Sequence, residues 1–326
     1  MSILVTGAAG FIGFHVAKAL LERGERVVGI DNLNEYYDVR LKEARLARLR
    51  AFHGFEFAKL DVADRDGVFT MVERHKHLRS IIHLAAQAGV RYSLENPYAY
   101  IDANVTGTLV MLEAARRVEH LTAITYASSS SVYGANRKQP FSIDDRVDQP
   151  VSLYAATKRS CELIAHTYGH LYGLPATGLR FFTVYGPWGR PDMAAFLFTR
   201  AILAGEPIKV FNEGRMARDF TYIDDIVAGT IAAHDRPPTA AEGVSHRIYN
   251  LGNHRPEKLL DFIAVLEREL GRVAVKQFLP LQPGDVPESF ADIEVSRRDL
   301  GFEPKTTIEV GLARFVQWYK QYYQVN

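Results

Sequence analysis

The sequence predicts an α/β fold: a doubly wound parallel sheet of the Rossmann type, followed by a smaller C-terminal α/β domain. Three observations predict it. Short apolar runs alternate with helical patterns through the first half of the chain. A glycine-rich loop stands between the first strand and the first helix. Beyond about residue 182 the regularity drops and proline, glycine and charge increase. Repeated strand–helix units with apolar strands bury both faces of a parallel sheet, and right-handed crossovers make that sheet doubly wound.

Each element has its own warrant. Residues 3–5 are a short apolar strand, and 11–23 read as a helix stopped by Gly24. Strand 26–30 ends at Asp31. Residues 35–52, rich in Arg, Leu and Ala, read as helical, and strand 55–60 runs into Asp61. Helix 65–75 leads to the buried strand 80–84, and helix 105–118 to strand 123–127, which meets the serine run Ser128 to Ser131. A helix carrying Tyr154 and a strand at 177–181 follow. A strand–helix unit near 220–233 is expected to return to the main sheet. The division is therefore 1–182 with a returning segment near 219–252 for the dinucleotide-binding domain, and mainly 183–326 for the substrate-binding domain.

Composition sets limits. The chain has 326 residues, 47% hydrophobic and 24% charged, which is ordinary for a globular protein and argues against disorder. A net charge of +1 creates no field that recruits nucleic acid. The single cysteine, Cys161, rules out an internal disulfide and a cysteine-rich metal site, and no metal is expected. No basic-then-apolar leader opens the chain, and no apolar run nears the ~20 residues that span a membrane. The expected location is the cytoplasm, with no membrane partner.

The loop reads Thr6-Gly7-Ala8-Ala9-Gly10-Phe11-Ile12-Gly13. Glycines permit a tight turn and a close approach of backbone to a pyrophosphate, which the following helix N-terminus then attracts. Asp31 closes the second strand 18 residues after Gly13. A carboxylate there accepts from a ribose 2′-hydroxyl and repels a 2′-phosphate, which predicts NAD rather than NADP. Asn32 stands beside it. Asp61, with Val62 next to it, could receive the adenine amino group. Leu84, Ala85 and Ala86 end the fourth strand with residues that let a cofactor pass, while His83 reads as a core residue.

Tyr154 and Lys158 share one helix face in Ser-Leu-Tyr154-Ala-Ala-Thr-Lys158. An ammonium one turn away favours the phenolate of a tyrosine. With the loop upstream, these residues resemble the extended short-chain dehydrogenase/reductase family, in particular its nucleotide-sugar epimerases, and the resemblance covers nearly the whole chain. It implies a catalytic hydroxyl at the end of the fifth strand. Ser129, 25 residues before Tyr154, matches it within Ser128-Ser129-Ser130-Ser131-Val132-Tyr133-Gly134. Asn104 resembles the family's structural asparagine near the cofactor. The 4,6-dehydratases carry Asp-Glu, and the glucuronate decarboxylases Glu, just before Val-Tyr-Gly. Here Ser130 and Ser131 stand instead, so no evident extra acid or base serves elimination.

The substrate side extends the resemblance. Arg180-Phe-Phe-Thr183-Val-Tyr-Gly-Pro-Trp-Gly-Arg190-Pro-Asp-Met193-Ala194 is similar to the signature of the UDP-glucuronate 4-epimerases. Galactose epimerases usually have asparagine at the position of Thr183. The resemblance implies that Thr183 and Arg190 help to hold a sugar carboxylate, for which a forked guanidinium is suited. Gln87-Ala-Gly-Val-Arg91-Tyr-Ser93 is a second segment typical of that subfamily. Arg218 resembles the arginine that binds the UDP diphosphate, and Gln282 to Asp285 the segment closing on the uridine ribose. Galactose epimerases often have arginine where Gln282 stands. Lys209 and Phe211 are candidates for the uracil side. The resemblance implies reversible C4 epimerisation of UDP-glucuronate to UDP-galacturonate through a 4-keto sugar, with NAD regenerated, and a homodimer. A UDP-glucose or UDP-N-acetylglucosamine 4-epimerase is the alternative, followed by a UDP-glucuronate decarboxylase. From another class comes a catalytically silent NAD-binding scaffold or redox-sensing partner.

Overall fold

The computed structural model describes residues 1–239, 243–281 and 286–325. Its centre is a parallel sheet of seven strands. Six are β1 (Ser2–Thr6), β2 (Arg26–Asp31), β3 (Phe55–Lys59), β4 (Leu78–His83), β5 (Ala123–Ser129) and β6 (Ala176–Phe181). The seventh is His246–Leu251, and the order across the sheet is His246–Leu251, β6, β5, β4, β1, β2, β3. Alternation along each strand feeds two cores. Ile3 and Val5 face one side with helices α1 (Phe11–Glu22) and α2 (Val39–Leu49). Leu4 faces the other, with α3 (Arg65–Arg74) and the helices Gly107–Ala115 and Leu153–Tyr172. Helices on both faces explain why the strands read as continuous apolar runs.

The order reverses between β1 and β4, so the crevice of this sheet opens at their carboxyl ends. That is where the glycine loop and residues 84–86 meet.

The returning segment differs from expectation in one respect. Phe220–Tyr222 pairs with Thr183–Tyr185 in a separate two-stranded parallel sheet. The strand that reaches the main sheet is His246–Leu251, which runs parallel to β6. The reason is packing. Phe220 stacks on Phe262 at 4.1 Å and Tyr222 meets Tyr185 at 5.7 Å, so this short strand belongs to the C-terminal aromatic core. The helix after it, Ile223–Asp235, does cover the main sheet through Ile226 and Ala233. The remaining small strands pair Ile208–Phe211 with Lys276–Leu279, and Ala217–Arg218 with Glu257–Lys258 and Glu288–Ser289; Lys209, Phe211, Arg218 and Ser289 from them line the crevice.

Candidate active site

A single cleft of about 1350 Å³ runs from the crevice into the C-terminal elements. It is lined by the glycine loop at Gly7, Gly10, Phe11, Ile12 and Gly13, and by Asp31, Asn32, Asp61, Val62, Leu84, Ala85 and Ala86. The same cleft reaches Gln87, Arg91, Ser129, Ser130, Ser131, Tyr154, Lys158, Thr183, Arg190, Met193, Lys209, Phe211 and Arg218. Residues from both halves of the chain thus share one cavity. Gln282 and Asp285 lie outside the described residues.

The cofactor side is built mostly from backbone. Gly7 has φ +69°, and a Cβ on Gly13 would stand 2.0 Å from the Gly7 carbonyl oxygen. That space lets α1 start against the loop, with Gly10 at its N-cap and no side chain capping it. Asp31 accepts from the Ala9 amide at 3.2 Å and the Leu33 amide at 2.9 Å. Asn32 donates to Asp61 at 2.8 Å, which orients that carboxylate, and Asp61 also accepts from the Ala63 amide at 2.8 Å. Beneath residues 84–86, Thr6 Oγ1 accepts from the Leu84 and Ala85 amides at 3.1 and 3.0 Å and therefore donates its own proton to His83 Nδ1 at 2.8 Å. Burial, with Lys158 nearby, pulls His83 down to about 3, so it is a neutral core residue. A cradle closed to any side chain, an uncapped helix N-terminus and an oriented carboxylate suit a dinucleotide with a free ribose 2′-hydroxyl.

The floor of the cleft comes from β5 and the helix Leu153–Tyr172. Lys158 Nζ donates to the Ala127 carbonyl at 2.8 Å, which fixes the ammonium at the strand end. Tyr154, one turn earlier, packs edge-on against Tyr100 at 6.0 Å. Four serines in a row are distinguished by the fold. Ser128 Oγ donates to buried Glu162 at 2.6 Å. Glu162 pairs with Arg180 through two hydrogen bonds of 2.8 and 3.0 Å. Burial alone would push Glu162 up, but the hydrogen bonds and charge of Arg180 hold its carboxyl below the usual range. Ser129, pointing the other way, accepts from the Ser131 amide and donates to Ser131 Oγ, both at 3.2 Å. Ser129 and Ser131 therefore form one hydroxyl pair at the cleft.

On the substrate side, Arg190 is paired with Asp192, Nε to Oδ1 at 3.0 Å, and Tyr36 donates to Asp192 at 3.0 Å. Burial would lower the guanidinium, yet Asp192 raises it above its ordinary value, and Tyr154 lies within electrostatic reach. Burial and Asp192 push the Tyr36 hydroxyl up to about 12. Arg91 lies over the Phe211 ring at 5.1 Å. Arg218 donates to the carbonyls of Ala217 and Pro287 at 3.0 and 3.1 Å.

Asn104 is placed differently from the other residues expected at the cofactor. It is buried behind the wall, at a wide helical turn, Ile101–Thr106. Its amide holds the Gln87 backbone from both sides, at 2.8 and 3.0 Å, and donates to Thr157 at 3.0 Å. It braces the cleft rather than lining it. Sequence reasoning missed Lys42, Tyr36 and Asp192, which line the cleft. Lys42 donates to Asn34 at 2.7 and 2.8 Å beside Asp31. One signal was available: Lys42 and Arg45 fall on the buried stripe of α2 with Leu41, Leu46 and Leu49.

Comparison with known proteins agrees with this geometry. Residues 3–252 match the NAD dependent epimerase/dehydratase family. A probable UDP-glucuronate 4-epimerase of Rhizobium meliloti (strain 1021) is 49% identical, over 99% of this chain and 98% of its own length. UDP-glucuronate 4-epimerase 4 of Arabidopsis thaliana is 49% identical, over 99% of this chain and 76% of its own. The solved UDP-glucuronic acid 4-epimerase of Bacillus cereus, in complex with UDP-glucuronic acid and NAD, superposes with a TM-score of 0.89 at 35% identity, covering 99% of this chain and 100% of that one. A glycine cradle, a Tyr154–Lys158 floor and a family match across more than two thirds of the chain lead to one conclusion: this chain belongs to the NAD dependent epimerase/dehydratase family.

Proposed function

We propose that the chain interconverts UDP-glucuronate and UDP-galacturonate at C4, with NAD as its resident cofactor. The observation that carries this reading is one cleft joining the glycine cradle and Tyr154 to Thr183 and Arg190, with serines instead of a carboxylate before Val132. Residues 1–182 with a return near 219–252 bind the dinucleotide, and mainly 183–326 bind the UDP-sugar. Gly7, Gly10, Gly13, Asp31, Asp61 and residues 84–86 would hold NAD. When bound, NAD supplies a hydride acceptor and then a hydride donor for the sugar carbon.

Tyr154, as phenolate, takes the proton of the C4 hydroxyl and later returns it. Ser129 holds that oxygen. Lys158, held on the Ala127 carbonyl, places a positive charge one helical turn from Tyr154. The 4-keto sugar must turn about its diphosphate link to offer its other face, so the diphosphate contact at Arg218 is the pivot. With a carboxylate on the carbon next to the ketone, this intermediate is a β-keto acid and loses CO₂ when the breaking bond aligns with the carbonyl. Thr183, Ser130 and Ser131 hold the carboxylate out of that alignment. Asp192 already offsets the charge of Arg190. This favours a second reading, in which neutral UDP-hexoses are also turned over.

Proton NMR of UDP-glucuronate incubated with the protein and NAD tests both. UDP-galacturonate without net NADH supports the first. UDP-pentose as main product would refute it, and turnover of UDP-glucose or UDP-N-acetylglucosamine in parallel incubations would favour the second.

Two copies are expected to associate through the outer faces of the helices Gly107–Ala115 and Leu153–Tyr172. Leu109, Leu163, Leu171 and Tyr172 are exposed there. Light scattering giving a monomer mass at micromolar concentration would overturn this. No helix among the described residues is long and apolar enough to cross a membrane, and a cytoplasmic location is part of the proposal.

A further inference from the structure

The turn that carries Arg190 is held in place by the cofactor half of the molecule. Trp188 sits in the left-handed region at φ +62°. A Cβ on Gly189 would come within 2.9 Å of the Gly186 carbonyl. All three carbonyls leading to Arg190 are engaged. His15 Nε2, on α1, lies 2.9 Å from the Pro187 oxygen, and burial pulls His15 down to about 4, so a neutral ring donates there. Arg45, on α2, donates from Nη2 to the Trp188 oxygen at 2.6 Å and the Gly189 oxygen at 3.1 Å. The same guanidinium donates from Nη1 to the Ala9 oxygen at 2.9 Å, inside the glycine loop, and to Tyr37 Oη at 2.7 Å.

Arg45 is 0% exposed, and among the described residues no carboxylate pairs with it; its Nε is buried without a partner. A buried cation with no counter-ion is costly, and an apolar side chain would fill the same volume more cheaply. What only arginine offers is a rigid planar fork that grips two backbone segments at once. Here one segment is the cofactor loop and the other is the turn presenting Arg190.

We propose that Arg45 is a positioning residue: it locks the 187–189 turn to the glycine loop and so aims Arg190 into the cleft. It touches neither cofactor nor sugar by this account and acts on the substrate only through Arg190. The inference rests on the reading of Arg190 as a contact for the acidic sugar.

The test is a double-mutant cycle of Arg45→Met and Arg190→Met, each measured for kcat and KM on UDP-glucuronate with NAD saturating, alongside thermal unfolding. Arg190→Met is expected to raise KM. Arg45→Met is expected to lower kcat/KM by about 10- to 100-fold in the native background, the scale of a misplaced contact. In the Arg190→Met background it should cost less than about threefold, because the group it positions is gone. Equal cost in both backgrounds, or no cost in the first, overturns the positioning role while leaving Arg190 in place. Unchanged kinetics in Arg190→Met overturn the reading of Arg190, and the coupling with it. If Arg45→Met does not fold, Arg45→Lys, which keeps the charge but loses the fork, is carried through the same cycle with the same outcomes.

Discussion

On the wall of the cleft proposed to hold NAD, the cofactor wall, the surface is mostly backbone, and the decisive atoms are missing ones, the Cβ atoms absent at Gly7 and Gly13. On the wall proposed to hold the sugar, the substrate wall, long side chains line the cleft, Arg91, Arg190, Lys209 and Arg218, brought from separate segments of the chain. The first wall is rigid because its shape follows from a loop pinned between β1 and α1. The second depends on partners for its aim: Asp192 for Arg190, Phe211 for Arg91, and the carbonyls of Ala217 and Pro287 for Arg218. A change on the cofactor wall should therefore break binding and stability together, and a change on the substrate wall should alter selectivity while the fold persists.

The largest effect is expected on the floor that both walls share. Tyr154→Phe removes the hydroxyl but keeps the ring that packs on Tyr100, so the fold should hold while epimerisation falls by roughly 10²–10⁴. An NMR rate within about tenfold of wild type would take Tyr154 out of the chemistry. Next comes Gly13→Ala. Its methyl would meet the Gly7 carbonyl at 2.0 Å, and overpacking of this kind costs about 1–3 kcal/mol. Thermal unfolding and an NAD titration should both move; if neither does, the cofactor wall is not rigid. Thr183→Val is the matching change on the other wall. It should leave unfolding and NAD affinity close to wild type and raise the share of UDP-pentose among the products. A product ratio that stays fixed would remove Thr183 from restraint of the carboxylate.

The smallest effect separates the walls by pH. His83, under the cofactor wall, is held below its ordinary value by burial, at about 3. Its contribution to stability is complete above about 6.5 and is lost as pH falls toward 3, because the unfolded chain then binds a proton that the folded chain does not. Asp219, under the substrate wall, accepts from Thr221 Oγ1 and the amides of Asn253, His254 and Ala291, and burial pushes it up to about 6. The sign is reversed: its contribution is present at low pH and is lost as pH rises from about 4 through about 6. The stability deficit of His83→Asn should therefore widen from pH 4.5 to 7, and that of Asp219→Asn should narrow. Parallel slopes in thermal unfolding would show that the two walls do not differ in this way.

Most of the residues that line the glycine-loop side of the cleft were legible in the sequence. Gly-x-x-Gly-x-x-Gly between a strand and a helix, with Asp31 after the next strand, leaves little freedom in where each residue goes. The Tyr154–Lys158 pair was legible because helical spacing alone puts both on one face. Local periodicity did not reveal that Phe220–Tyr222 would leave the main sheet to His246–Leu251. Both stretches read as short strands, and only contacts with Phe262 and Tyr185 decide between them. Nor did it separate Ser128 from Ser129, since that choice depends on buried Glu162, which engages the Ser128 hydroxyl.

By itself, then, the chain's order of residues determined the fold class, the cofactor cradle and the pair of groups on the floor, because each of these is written in spacings shorter than a few turns of helix or one strand–helix unit. The tertiary structure decided which distant groups meet: Tyr36 with Asp192, Arg91 with Phe211, and Arg45 with the Trp188 carbonyl. Those pairs come from segments separated by scores of residues. Their meeting is set by how the two halves pack, and a hydrogen bond forms only where the packing brings donor and acceptor within about 3 Å.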